Sequence, residues 1–263
     1  MSEIFHLIEF QMALLLFIAL AGYLVASRVN QSAVIGEILV GLLVGPSVLG
    51  LITYTDFVSG IAHLGAVFLL FVVGMEFKLE DIAKPRYLLI GSAGVVVPWI
   101  TGYFISSLFG YGFGSSVFIA TALTATSIAI TANVLKEMGR LKTEAARAII
   151  GAAVIDDVLG LLLLAVSKGL VAGAVSLPSL ALVFAKAILF LCIGAIAGHF
   201  GFRRLLALLD GTRFTGRFPE VPFIFATMLA FLYGMVAELM GLSAIVGAFI
   251  AGASLGGGTT PAR

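Results

Sequence analysis

The chain has 263 residues, 61% apolar and 11% charged, with a formal net charge of +1 and a mean hydropathy of +1.17. A soluble core of this length cannot absorb so much apolar surface, so the composition excludes a soluble enzyme and points to an all-α polytopic membrane protein. The charge carries no signal for a nucleic-acid partner and none is expected, while the single Cys192 excludes a disulfide framework and is expected to be a small buried hydrophobe.

Nine apolar runs follow one another at 10–27, 33–52, 58–77, 87–109, 114–135, 146–167, 179–201, 221–239 and 242–257. The first is expected to be a retained helix, because Glu3 and Glu9 precede or open it where a signal peptide would be basic. Pro98 interrupts the fourth run; without an N–H it leaves the Gly94 carbonyl unpaired, which predicts a kink. The basic residues fall in alternate connections: Arg28; Lys78, Lys84 and Arg86; Lys136, Arg140, Lys142 and Arg147; Arg203, Arg204, Arg213 and Arg217; and finally Arg263. Only Lys168 and Lys186 lie toward the other side, so the positive-inside rule predicts the N-terminus outside, the C-terminus in the cytoplasm, and a multi-pass protein of the inner or plasma membrane. Glu37, Glu76 and Glu238 are read as interfacial acids at helix ends, and Gly151 and Gly160 as close-packing positions.

A repeat is visible at an offset of 211 positions. Ser32, Ala33, Gly36 and Gly41 recur as Ser243, Ala244, Gly247 and Gly252, and apart from Glu37/Ala248 the intervening exchanges are apolar. The second and ninth runs would cross in opposite directions, so the pattern predicts an inverted-repeat transporter. On that reading the mates of runs three to six are absent, and roughly another hundred residues are expected after Arg263.

The sixth run, AIIGAAVIDDVLGLLLLAV, carries Asp156 and Asp157 side by side. At 1.5 Å per residue Asp156 lies about 13 Å from Arg147 and Asp157 about 16 Å from Lys168, near the middle of a ~30 Å core. A carboxylate at that depth costs about 2.5–3.5 kcal/mol on insertion scales, a penalty that marks a functional group. The fifth run places Thr121, Thr124, Thr126, Ser127 and Thr131 at similar depth. On a continuous helix Thr121, Thr124 and Thr131 would share a face, with Ser127 between them. Each hydroxyl alone could simply bond its own i−4 carbonyl, but the cluster beside two carboxylates supplies the oxygen ligands of a hard cation. A proton can occupy the same carboxylate, since burial favours the protonated form and a nearby cation the ionised one. One site with two competing occupants, opened alternately to each side, is sufficient for cation/proton exchange. An intramembrane aspartyl protease is excluded, because its two aspartates must meet from separate helices. No catalytic residue and no cofactor are expected.

The stretch ALTATSIAITANVLKEMGRL (122–141) followed by AIIGAAVIDDVLGLLLLAV (148–166) closely resembles the sodium/proton antiporters of the NapA-like branch of the monovalent cation:proton antiporter superfamily. IGEILVGLLVGPSVLGL (35–51), FLLFVVGMEFKLEDI (68–82) and LSAIVGAFIAGASLG (242–256) match further family segments in order. The resemblance implies a homodimer of thirteen-helix protomers, of which about nine helices are present here, with a core that moves in elevator fashion. It implies dimerisation helices mainly in 1–85, half of the ion-binding core in 86–168, a linker helix in 169–201, and the start of the second repeat in 202–263. Asp157 would be the main carboxylate for Na+ and H+, Asp156 would pair with a lysine of the second repeat, and Thr124 and Thr126 would sit in an unwound crossing helix. The Asp-Asp pair is associated with electrogenic sodium/proton exchange and a Gln-Asp pair with potassium efflux. Potassium/proton exchange and a non-transporting fragment or partner subunit remain the alternatives.

Overall fold

The computed structural model describes residues 7–52, 54–77, 85–173, 177–202, 204–205, 218 and 220–256. Readings that rest on Glu3, Lys78, Lys84, Arg203, Arg213, Arg217 and Arg263 lie outside the described residues. Every regular element among those described is helical: α1 (Ile8–Arg28), α2 (Ala33–Val44), α3 (Asp56–Met75), α4 (Pro85–Leu108), α5 (Phe113–Thr124), α6 (Ile128–Glu137), α7 (Glu144–Val171), α8 (Leu177–Ile196), a π-helical turn (Ala197–Phe202), α9 (Val221–Leu239) and α10 (Ala244–Gly256). Among the described residues, seven segments are long and apolar enough to cross a membrane: α1, α3, α4, α5 with α6, α7, α8 and α9. The chain is thus an all-α, multi-pass membrane protein.

Two sequence expectations change. The second run ends as helix at Val44 rather than extending to residue 52, because Gly45 precedes Pro46 and takes an extended ψ of 179°. The fifth run is two helices separated by residues 125–127, so the register that would align Thr131 with Thr121 and Thr124 does not survive. Pro98, in contrast, lies within an uninterrupted α4.

The chain divides into two compact units, Met1–Ala66 with Ile130–Arg140, and Val67–Ala129 with Leu141–Arg263. The first contains the hairpin α1–α2. Asn30 takes a left-handed φ of 53° at its turn, while Gln31 N–H donates to the Ala26 carbonyl at 3.0 Å and Ile35 N–H to that of Ser32 at 3.1 Å. A side chain on Gly36 would overlap the Gly22 carbonyl, so the helices meet backbone to backbone. Glu137, the last residue of α6, reaches the start of α2, where Ser32 Oγ and Ala33 N–H donate to its Oε2 at 2.6 and 3.0 Å.

The second unit contains the hairpin α9–α10, which repeats these features 211 positions on. Gly241 has φ +88°, Leu242 N–H donates to the Ala237 carbonyl at 2.9 Å, and Val246 N–H donates to that of Ser243 at 3.1 Å. A side chain on Gly247 would overlap the carbonyl of Tyr233, the counterpart of Gly22. The offset seen in the sequence is therefore a structural repeat. In this unit α10 also packs on α3 through glycines: Gly74 faces the Phe249 carbonyl, Gly252 that of Phe71, and Gly256 that of Met75. Gly151 abuts the Tyr87 ring and Gly91 the Ala152 carbonyl, at 2.8 and 2.9 Å from a built Cβ, which draws α4 against α7. Gly160 has no such neighbour within 4 Å and is not a packing position. Cys192 is exposed on α8, contrary to the buried role expected from sequence.

Candidate functional site

The 28 residues of α7 start at Thr143, whose Oγ1 accepts from Ala146 N–H at 3.2 Å. Small residues follow on its buried face, Ala146, Gly151, Ala152 and Ala153, and they allow α4 to approach closely. Arg86 and Glu144 form an exposed ion pair of 2.5 Å at the first turns of α4 and α7, so these helices begin at one level. Beyond the small residues comes the doublet. Asp156 is 7% exposed, and Asp157 is half-buried.

Asp156 meets the chain break between α5 and α6. Thr126 is hydrogen-bonded to its carboxyl through both the hydroxyl and the backbone N–H. Those contacts tie the break to α7. A backbone N–H released from the helix finds a buried acceptor of greater strength than a neutral carbonyl. Asp156 Oδ1 has no hydrogen-bond partner and is the buried side-chain oxygen or nitrogen so identified among the described residues. A buried carboxylate oxygen left without a donor is costly, which singles this residue out as a candidate functional group.

The hydroxyl cluster divides into two roles. Thr121 Oγ1 donates to the Val117 carbonyl at 2.8 Å, accepts from Trp99 Nε1 at 3.2 Å and pairs with Ser167 Oγ at 2.7 Å. With its hydrogen committed to Val117, Ser167 must donate to it, and a hydroxyl with one hydrogen and two lone pairs is then saturated. Thr121 joins α4, α5 and α7 and is not a ligand. Thr124 Oγ1 gives its hydrogen to the Thr121 carbonyl at 2.8 Å and keeps its lone pairs; it is 2% exposed. Thr126 Oγ1 also lies 3.4 Å from the Thr124 carbonyl. Ser127 falls in the break beside it. Ser167 and Trp99 were not singled out in the sequence, and only their partner at Thr121 could have pointed to them.

A cavity of about 560 Å³ collects these groups: it is lined by Thr121, Thr124, Ala125, Asp156, Asp157 and, from the turn before α10, Ser243, with apolar residues of α5 and α7 completing the wall. Asp156 and Asp157 thus face one space, although about 100° of helical azimuth separates them. The C-terminal end of α5 borders the same space with the negative pole of its backbone, which favours a cation. No group of three or more His, Cys, Asp or Glu side chains that could hold a metal occurs among the described residues. The donor set is instead two carboxylates, one hydroxyl with free lone pairs and carbonyls at a helix end. Hard oxygens in this number suit a cation held weakly enough to be released.

Membrane-length apolar helices, a helix broken at residues 125–127 and an acidic pair lining the cavity beside that break define a polytopic membrane protein with a polar cavity among its helices. A family model described as sodium/hydrogen exchanger, transmembrane, matches residues 14–263, and the chain belongs to this family, which is one of transporters rather than enzymes. It is 30% identical over 249 residues to the Na(+)/H(+)-K(+) antiporter GerN of Bacillus cereus, covering 94% of this chain and 62% of that protein. It is 30% identical over 266 residues to the high-affinity Na(+)/H(+) antiporter NhaS3 of Synechocystis sp., covering 87% of this chain and 57% of that protein. The glutathione-regulated potassium-efflux system protein KefC of Klebsiella pneumoniae is 29% identical over 236 residues, covering 88% of this chain and 37% of that protein. The chain spans about three fifths of the length of the first two.

Proposed function

We propose that this chain serves secondary active transport, exchanging a monovalent cation, sodium foremost, for protons by alternating access. The observation that carries the reading is the buried, half-satisfied Asp156 carboxyl beside Asp157 in a cavity that also holds Thr124. A carboxylate pair of this kind can hold a cation or a proton but not both at full strength, and this competition couples the two fluxes. Asp157, the more accessible acid, is the carrier carboxylate; Asp156, fixed by Thr126, holds the second charge, with Thr124, Thr126 and Ser127 completing the site.

The basic connections support an N-terminus outside and a cytoplasmic C-terminus. The assignments of 86–168 to an ion-binding core, 169–201 to a linker, and 1–85 and 202–263 to a dimer-forming frame belong to the same reading. GerN carries both sodium and potassium in its name, which makes potassium/proton exchange the second reading. The Asp156 carboxylate favours sodium, because a second anionic oxygen suits the smaller, harder ion.

The test is proton flux in vesicles containing the chain. Adding sodium should collapse an imposed pH gradient, Asp157→Asn should abolish the response, and Asp156→Asn should change the charge moved per ion. Exchange that persists unaltered in Asp157→Asn sinks the assignment.

A further inference from the structure

α5 stops at Thr124, so its last turn has no further helix to hold it in place. In a continuing helix the Thr121 carbonyl would accept from Ala125 N–H. Here that N–H turns to the Ala122 carbonyl at 3.4 Å, and the Thr124 hydroxyl donates to the Thr121 carbonyl instead, at 2.8 Å. The position of this turn must therefore be set from the side. The lateral hold falls on Thr121, where Trp99 Nε1 of α4 and Ser167 Oγ of α7 reach one oxygen, at 3.2 and 2.7 Å. Neither donor is loose. Ser167 is fully buried, and the Trp99 ring stacks on Tyr103 with centroids 5.7 Å apart and planes 7° from parallel. Gly102 brings α4 close to the same stretch of α5, since a Cβ there would lie 3.2 Å from Ala120 Cα.

We propose that Ser167 and Trp99 are positioning residues of the cation cavity: through Thr121 they fix the broken end of α5, and with it the Thr124 hydroxyl, where a small cation needs it. This rests on the cation-exchange reading above and deepens it.

The argument follows the hydrogens. Thr121 and Thr124 line the cavity with Asp156 and Asp157, whereas Ser167 and Trp99 are not among its lining residues. The two donors thus act on the cavity only through Thr121. Because Thr124 gives its hydrogen to the Thr121 carbonyl, the direction of its remaining lone pairs follows from where Thr121 sits. Selectivity between hard cations depends on how closely and how rigidly their oxygens are held. An α5 end tied to two neighbouring helices keeps its oxygen at one distance, which favours the smaller ion. Untied, the same end can draw back and accept a larger one.

The experiment is equilibrium binding of radiolabelled sodium to the purified full chain, with and without competing potassium. Ser167→Ala removes one donor with little change of shape, and Trp99→Phe removes the indole N–H but keeps an aromatic ring. Ser167→Ala should weaken sodium binding by about fivefold, the scale of one hydrogen bond, and adding Trp99→Phe should weaken it further. The preference for sodium over potassium should fall in the same order. Thr121→Ser keeps the shared oxygen and should recover the native preference. Sodium affinity or ion preference left at its native value in the combined variant overturns the inference; if that variant does not fold, Ser167→Ala alone decides. Loss of folded protein while the remainder binds with native affinity and preference also overturns it, because the bonds would then only glue helices together. If the native chain binds no sodium, the cation-exchange reading itself fails, and the two failures are told apart.

Discussion

The hairpins α1–α2 and α9–α10 have matching turns, matching helix limits and the same glycine-to-carbonyl contact, yet they differ sharply in burial. Three of the twelve residues of α2 are buried, against eleven of thirteen in α10. Gly41 has nothing within 4 Å of a built Cβ, whereas its counterpart Gly252 would strike the Phe71 carbonyl of α3. The cap of α2 is filled by Glu137, while the cap of α10 borders the aspartate cavity. One local pattern thus makes one hairpin, and what packs against it decides whether the hairpin serves as an exposed surface or as part of a site wall.

Substitutions at matched positions break this comparison most directly. Gly252→Val should be the most damaging, costing about 3 kcal/mol or more through overpacking between two buried backbones, with loss of folded protein on size-exclusion chromatography. The matched Gly41→Ala should be neutral or stabilising by up to about 1 kcal/mol in thermal unfolding, because an open helical position gains from alanine. Equal damage at both sites would mean the burial contrast is not a property of the protein in its membrane. Gly247→Val and Gly36→Val should both destabilise, α10 more than α2, because the less buried helix is freer to shift.

Smaller effects sharpen the contrast at the turns and caps. Gly241→Ala should cost about 1 kcal/mol, since its φ of +88° is unfavourable for any side chain, while Asn30→Gly should be nearly neutral. Glu137→Gln should cost about 1 kcal/mol or less by removing the charge that α2 holds at its first turn. Glu137 also ends α6, where a negative charge opposes that helix's own pole, so its place is explained by α2 alone. Stability unchanged in Glu137→Gln would mean the cap contact contributes nothing.

Much of this architecture was legible in the residues. Run lengths and basic loops located the helices, and the glycine and serine positions 211 apart disclosed the repeat. The depth of Asp156-Asp157 between Arg147 and Lys168 marked a candidate site, and the resemblance implied an unwound crossing helix at Thr124 and Thr126. The break itself could not be read from composition, because Thr124, Thr126 and Ser127 do not on their own interrupt a helix; the residue it meets, Asp156, lies thirty positions further along the sequence. For the same reason Thr121 looked like a ligand until its three partners were in view. Ser243 stood out only as one of the repeated residues, since its place in the wall of the cavity with the doublet depends on the tertiary fold.

The central claim is that the acidic doublet holds a small cation and a proton by turns. Equilibrium binding of radiolabelled sodium at two pH values, in the native chain and in Asp157→Asn, tests it most directly. Saturable binding that falls as protons are added, and that vanishes in Asp157→Asn, is the predicted result. Binding that ignores pH, or survives the loss of that carboxylate, would contradict it.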